Sequence, residues 1–216
     1  MAERIHPLKL VSMLLSYPAP ELSEAVRQLD ADELDDRSRK QLGGFLDWYG
    51  TTPLTELQRS YVETFDFAKR NALHLTYHLH GDSRQRGLAL RRRKQAYASA
   101  GLEMSAGERP DYLPLMLEFA SLAPDPAGRD LLAEHRVSIE LVRRSLRDQD
   151  SPWEPLLDLV ARSLPGLTRS QLGRLRRLAA EGPPSEQVGL EPFAPPEVMP
   201  EPGVARAEPL VGGIGA

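Results

Sequence analysis

Helical periodicity is the feature of this sequence that most constrains its fold. Apolar residues recur every three or four positions, and prolines or glycines separate these runs, as in the stripe formed by Leu131, Ile139, Val142 and Leu146. Such spacing places apolar side chains on one face of an α-helix. We find no pair of alternating β-branched runs joined by hairpin turns, the pattern typical of a sheet. The chain is therefore predicted to be all-α.

Three helix starts can be predicted from capping residues. The segments 151–154 (SPWE) and 168–171 (TRSQ) match the capping box, in which two side chains satisfy backbone N–H groups reciprocally. Asp82 is placed to cap a third, long helix, with Gln85 three residues later.

A change in composition at residue 182 divides the chain. Residues 182–216 contain eight prolines and six glycines, and their five glutamates and one arginine account for the whole net charge of −4. Such a segment buries too little apolar surface to offset the entropy lost on ordering. We predict a single compact multi-helix domain over residues 1–181 and a disordered, acidic, Pro/Gly-rich tail over residues 182–216.

The composition also excludes several classes of protein. The chain contains no cysteine, which excludes disulfides, thiolate metal sites and a cysteine nucleophile. No apolar run approaches the roughly 20 residues that span a bilayer, and from the short apolar segment of the first helix we expect no export signal. A G-x-x-x-x-G-K-[ST] phosphate loop is absent. We expect a cytoplasmic protein without stable membrane insertion.

Three histidines lie close together in the stretch LHLTYHLHGDSRQRG, at positions 74, 78 and 80. His74 and His78 are spaced for one helix face, and with Asp82 they could serve a histidine-dependent metallohydrolase. A zinc site needs three or four converging donors, and no HExxH motif is present. A polar connecting segment is the favoured interpretation, so neither a metal nor a stably bound cofactor is expected. His135, on an apolar stripe, is predicted to be a hydrogen-bonded core residue.

Six arginines and lysines occupy residues 84–94. A solvated helix face is the favoured interpretation, and a patch that receives an acidic or phosphorylated partner is the functional alternative. A helical nucleic-acid-binding regulator is a further alternative, which the neutral charge of residues 1–181 argues against.

The segment Leu113–Leu122 is apolar at nearly every position, which indicates a helix buried on most sides. Asp111 and Glu118 are its main neighbouring carboxylates. A groove there would suit a peptide helix that is partly apolar and partly basic, although both carboxylates could equally face solvent.

Two blocks resemble a known family. YVETFDFAKRNALHLTYHLHGDSRQRG (Tyr61–Gly87) and ERPDYLPLMLEFA (Glu108–Ala120) are similar to the nitrate reductase molybdenum cofactor assembly chaperones, also called the delta subunit or NarJ type. These belong to the all-helical maturation chaperones of molybdoenzymes. The resemblance covers residues 5–165 and includes the LLSYP that ends the first helix.

The resemblance implies a chaperone of anaerobic nitrate respiration and nitrate assimilation, and not an enzyme. Such a protein binds the apo catalytic (alpha) subunit of nitrate reductase, chiefly its N-terminal segment, in the cytoplasm. It keeps that subunit competent for insertion of the molybdenum cofactor and an iron–sulfur cluster before membrane assembly. The implied partners are the alpha subunit, alone or as the alpha–beta complex, and molybdenum cofactor biosynthesis proteins. Another molybdoenzyme of the same superfamily is the alternative client.

The family's motifs indicate which residues bind the client peptide. An aromatic-x-x-hydrophobe-aromatic motif corresponds to Tyr61, Thr64 and Phe65, and Thr64 departs from the usual leucine. A Glu/Pro/Asp-His motif corresponds to residues 108–112, where Tyr112 replaces histidine. The resemblance implies that Tyr61, Phe65 and Leu113 contact the client's apolar face, and that Asp66, Glu108 and Asp111 contact its basic or N–H groups. It also implies that Asp82, Arg84 and Arg86 shape the mouth of the binding site or contact the folded part of the client. Tyr77, Pro110 and Tyr112 are further binding positions.

Overall fold

The described chain is built from α-helices, as predicted. A computed structural model describes residues 4–102, 104, 107–123, 126–182 and 184. Its α-helices in chain order are α1 (Pro7–Leu14), α2 (Pro20–Gln28), α3 (Asp36–Thr51), α4 (Leu54–Tyr61), α5 (Leu75–His80), α6 (Arg84–Ser99), α7 (Leu113–Leu122), α8 (Ala127–Glu134), α9 (Arg136–Asp148), α10 (Glu154–Ser163) and α11 (Arg169–Glu181). Short 3₁₀ turns lie at Ala31–Glu33 and Lys69–Asn71.

Helix α7 lies at the centre of the core. It packs between α1 and α8, while α9 packs against α10 and α11. Met116 and Leu117 of α7 are fully buried, and Pro114 lies in its first turn, where a missing N–H costs no helical hydrogen bond. The buried helix expected from the apolar run is therefore confirmed.

An aromatic cluster around Trp153 fixes α4 to the rest of the core. The centroid of the Trp153 ring lies 5.6 Å from that of Phe45 in α3 and 5.4 Å from that of Phe65. Trp153 is fully buried, and its Nε1–H donates to the hydroxyl of Ser60, 3.0 Å away. Tilted and edge-on aromatic pairs of this kind add specific packing to the area that they bury.

The predicted capping boxes have opposite outcomes. Thr168 caps α11 as expected, because its hydroxyl accepts from the N–H of Gln171 and the Gln171 side chain accepts from the N–H of Thr168. The box at Ser151 is wrong, since Trp153 occupies the N-cap of α10 and Ser151 Oγ accepts only a long hydrogen bond of 3.4 Å from the Trp153 N–H.

The apolar stripe around His135 belongs to two helices. Helix α8 ends at Glu134 and α9 begins at Arg136, with His135 at the junction. His135 is fully buried, and its Nε2 accepts a 2.6 Å hydrogen bond from Nε of Arg93. Burial, followed by the charge of Arg93, lowers its pKa to about 3. The predicted hydrogen-bonded core histidine is confirmed.

The predicted tail lies outside the described residues, apart from Gly182 and Pro184. Pro184 closely approaches Gly81, since a Cβ atom built on Gly81 would lie 1.8 Å from the Pro184 carbonyl oxygen. Gly81 also has a φ of +56°, so both its conformation and its space favour glycine. None of the described helices is long and apolar enough to cross a membrane.

Candidate functional site

Helix α4 and a single π-helical turn supply one wall of a groove. The N–H of Phe67 donates to the carbonyl of Val62, five residues earlier, so residues Val62–Asp66 form a wider turn. Tyr61 and Phe65 are mostly buried in this wall and Asp66 is exposed at its edge. Such π turns occur often at functional sites, although the sequence alone gave no sign of this one.

An isolated antiparallel bridge between His74 and Tyr112 forms the other wall. The N–H of Leu75 donates to the carbonyl of Asp111, and the N–H of Leu113 donates to the carbonyl of Leu73, both at 2.9 Å. The His74 and Tyr112 rings lie 5.3 Å apart, tilted by 36°. Apolar and polar residues alternate over Leu73, His74 and Leu75, and this short alternation reflects one bridge, followed by the short helix α5.

The two walls meet through their tyrosines and still leave an open cavity. The Tyr61 hydroxyl donates to the carbonyl of Leu15 at 3.0 Å and lies 3.1 Å from the Tyr112 hydroxyl, which is thus the donor between them. The cavity beside this contact has a volume of about 540 Å³, within the range of roughly 300–1,000 Å³ typical of ligand sites. Its lining residues are Tyr17, Tyr61, Phe65, Asp66, Ala72, Leu73, His74, Gly107, Glu108, Arg109, Tyr112 and Leu115. We refer to this cavity and its lining as the groove.

The groove combines aromatic surface with negative charge. Asp66 and Glu108 are exposed carboxylates at its edge, and Arg109 is the cation in its lining. Burial raises the pKa of both Tyr61 and Tyr112, and the nearby charge of Asp66 raises each further, so both hydroxyls remain protonated. The arrangement suits a ligand with apolar side chains and a basic or N–H group.

Tyr17 is a groove residue that the sequence interpretation missed. Its ring packs edge-on against that of Tyr61, with 5.5 Å between the centroids, and the residue is 51% exposed. The available signal was its place in LLSYP, where an aromatic residue follows the last apolar turn of α1 and precedes a proline. His74 was also missed as a wall residue, because the favoured interpretation placed it in a polar connecting segment.

Asp111 lies behind the groove wall and is fully buried. Its Oδ1 lies 3.2 Å from Nδ1 of His74, and its Oδ2 accepts from the hydroxyl of Thr76 and lies 3.5 Å from Nη2 of Arg86. Burial raises the pKa of Asp111, but the hydrogen bonds from His74 and Thr76 and the charges of His74 and Arg86 outweigh it and hold this pKa at about 2. Asp111 is therefore an ionised anchor for the wall.

Of the twelve predicted binding residues, five line the groove: Tyr61, Phe65, Asp66, Glu108 and Tyr112. Asp111 and Leu113 are fully buried behind it, so the direct client contact expected of them is revised to a supporting role. The carbonyl of Pro110 accepts from the Tyr97 hydroxyl at 3.0 Å.

The remaining predicted residues lie around the start of α6. Arg86 places its guanidinium carbon 5.5 Å from the centre of the Tyr77 ring and bonds Oδ1 of Asp82 at 3.0 Å. Arg84 is exposed in the first turn of α6. The predicted capping role of Asp82 is wrong, because Ser83 occupies the N-cap of α6 and the Asp82 side chain turns to Arg86.

The metallohydrolase alternative is not supported by the positions of its residues. His74 bonds Asp111, His78 is buried with Nε2 2.8 Å from the Ala72 carbonyl, and Asp82 bonds Arg86. Over the described part of the chain, no three histidine or carboxylate side chains are grouped to hold a metal ion.

This geometry defines a class of protein: a helical protein whose groove is lined by aromatic rings, edged by carboxylates and large enough for a peptide. Sequence comparison gives the family. Residues 31–158 match the family described as the nitrate reductase delta subunit, and the chain belongs to that family.

Named relatives support this assignment. The chain is 33% identical over 151 residues to the probable nitrate reductase molybdenum cofactor assembly chaperone NarW of Escherichia coli, and 33% identical over 157 residues to the probable chaperone NarJ of Bacillus subtilis. These matches cover 70% and 71% of this chain, and 64% and 85% of the relatives. A similar match, 35% identical over 153 residues and 70% of this chain, covers 23% of the nitrate reductase-like protein NarX of Mycobacterium tuberculosis.

Proposed function

We propose that this protein is a chaperone that binds the apo catalytic (alpha) subunit of respiratory nitrate reductase in the cytoplasm, with the N-terminal segment of that subunit in the groove. It holds the subunit competent for insertion of the molybdenum cofactor and an iron–sulfur cluster before membrane assembly. The relatives NarW of Escherichia coli and NarJ of Bacillus subtilis are named as probable assembly chaperones and not as catalysts, and the protein is not an enzyme.

The observation that carries the proposal is the groove itself. Tyr17, Tyr112 and His74 offer partly exposed ring surface, while Asp66 supplies an exposed carboxylate beside them. A peptide helix could place apolar side chains against the rings and a basic side chain or its first N–H groups near the carboxylate. A peptide that orders on docking loses several kcal/mol of its interaction free energy to that ordering. We therefore expect moderate affinity, which allows release of the completed client.

Calorimetric titration with a synthetic peptide of the alpha subunit's N-terminal segment tests the site. We expect Tyr17→Ser to weaken binding about tenfold, as removal of an aromatic anchor does, and Asp66→Asn to weaken it a few-fold. Leu122→Ser and Asp148→Asn are matched controls, because they change an exposed leucine and an exposed aspartate outside the groove. Equal affinity for the wild-type chain and both groove variants would reject this binding site.

Affinity purification of the full chain from cells grown without oxygen on nitrate tests the identity of the client. We expect the large subunit of nitrate reductase, alone or with the beta subunit, and its molybdenum content should fall in cells that lack this chaperone. Cofactor biosynthesis proteins in the same fraction would identify further partners. Recovery of a different molybdoenzyme in place of nitrate reductase would favour the alternative client.

A further inference from the structure

Helix α6 is a second surface with an unusual distribution of charge. Its sixteen residues include six arginines and lysines and no aspartate or glutamate. Among the helices described, its main packing partner is α5, so most of its surface is open. Five of the six divide into an inward pair, Arg86 and Arg93, and an outward group at residues 91, 92 and 94, while the sixth, Arg84, is exposed at the first position of the helix.

The inward cations have partners within the fold. Arg86 bonds Asp82 and lies 3.5 Å from Asp111, and its side chain is 12% exposed. Arg93 donates to His135 at 2.6 Å and lies 3.4 Å from Glu134. These two residues hold α6 in place, and their charges are compensated locally.

The outward cations have no such compensation. Arg91, Arg92 and Lys94 are exposed, and none forms an ion pair with another residue of the described ranges. Leu88, one turn before Arg91 and Arg92, is 55% exposed. We call Leu88, Arg91, Arg92 and Lys94 the basic face. Neighbouring like charges repel each other in the free protein, and an acidic partner would relieve that repulsion.

The first turn of α6 adjoins the groove wall through one buried residue. Asp111 contacts both His74 of the groove wall and Arg86 in the first turn of α6. A helix of sixteen residues extends about 24 Å, so α6 offers a long surface that begins directly behind the groove. A protein with its leading segment in the groove would bring its adjoining folded part to this surface.

We propose that the basic face docks an acidic surface on the folded part of the client, outside the segment that fills the groove. This inference rests on the proposed function. Charge complementarity selects an acidic partner and accelerates its association. A protein surface fits better than nucleic acid, because an apolar Leu88 lies beside the cations and residues 1–181 carry no net charge.

The test compares two ligands and two full-length variants. R91E/R92E reverses two charges of the basic face, and R37E/K40E makes the same change at exposed positions of α3. Each variant is titrated with the purified apo alpha subunit and with the synthetic N-terminal peptide, after circular dichroism shows an unchanged fold. We expect R91E/R92E to bind the whole subunit about tenfold more weakly and the peptide normally. The loss should shrink in about 0.5 M sodium chloride, and R37E/K40E should bind both ligands as the wild type does.

The possible results separate this inference from the proposed function. If the wild-type chain fails to bind the peptide, the proposed function fails. If it binds the peptide and R91E/R92E still binds the whole subunit as tightly as the wild type, the basic face is not a docking surface. Binding of a DNA duplex that R91E/R92E abolishes would overturn the inference in favour of nucleic acid. An R91E/R92E defect that disappears once all five glutamates of residues 182–216 are changed to glutamine would overturn it in favour of the chain's own acidic segment.

Discussion

The Oδ1 atom of buried Asp111 lies 3.2 Å from Nδ1 of His74 and so joins the segment before α7 to the segment before α5. The same carboxylate contacts Thr76 and Arg86. Because His74 and Tyr112 are the paired residues of the groove wall, the position of the wall depends on a charge that no ligand can reach.

Replacing Asp111 should therefore destabilise the protein. Asp111→Ala removes the partner of Arg86 and Thr76 inside the fold, and we expect a loss of about 3 kcal/mol in the free energy of unfolding, as for broken buried ion pairs. Urea denaturation followed by circular dichroism measures this loss. Glu118→Ala is the control, because the Lys9–Glu118 pair is about 40% exposed on both sides and should contribute less than about 1 kcal/mol. Equal losses in the two variants would contradict the anchoring role of Asp111.

The charge of Asp111 also predicts how stability depends on pH. Its pKa is about 2 in the folded protein against an ordinary value of 3.8, so the folded state binds this proton less readily than the unfolded state. The stabilisation is complete above pH 3.8 and is lost as the pH falls through 3.8 towards about 2, a change of about 2 kcal/mol. Urea denaturation of the wild type and Asp111→Asn at successive pH values should show the difference between them shrinking in this range. A difference in the free energy of unfolding that stays constant over this pH range would refute the prediction.

The sequence was most informative where a pattern depends on neighbouring residues alone. The apolar run Leu113–Leu122 predicted a buried helix because nearly every face of such a helix is apolar, and α7 is buried. The capping box at Thr168 was equally local. At Asp82 the local rule failed, because Arg86 one turn later offers this carboxylate a charged partner in place of backbone N–H groups.

The site depends on contacts that are distant along the chain, and these were predicted only in part. The motif residues Tyr61, Phe65 and Tyr112 were identified through the family resemblance, and all three line the groove. Tyr17 reaches the same cavity only because α1 packs against α7, and the burial of Asp111 follows from its bonds to residues about 35 positions away. Periodicity carries no information about such pairs.

The two candidate capping boxes predict a clear contrast in stability. Thr168→Ala removes a formed cap of α11 and should cost about 1 kcal/mol in the free energy of unfolding. Ser151→Ala removes only a hydrogen bond of 3.4 Å and should change stability by less than about 0.5 kcal/mol. Urea denaturation of both variants measures the contrast. A larger loss for Ser151→Ala than for Thr168→Ala would show that the two starts had been assigned the wrong way round.

Two helical glycines predict effects of opposite sign when changed to alanine. Gly128 in α8 packs directly on α7, where a Cβ atom would lie 2.5 Å from the Cα of Ala120. The obstacle is backbone, so Gly128→Ala must separate the helices, and we expect a loss of about 1–3 kcal/mol. Gly173 in α11 has no atom within 4 Å of such a Cβ, and Gly173→Ala should stabilise the protein by up to about 1 kcal/mol because alanine is the better helix former. Thermal unfolding of the two variants reports both signs, and a stabilising Gly128→Ala would contradict the close packing of α7 and α8.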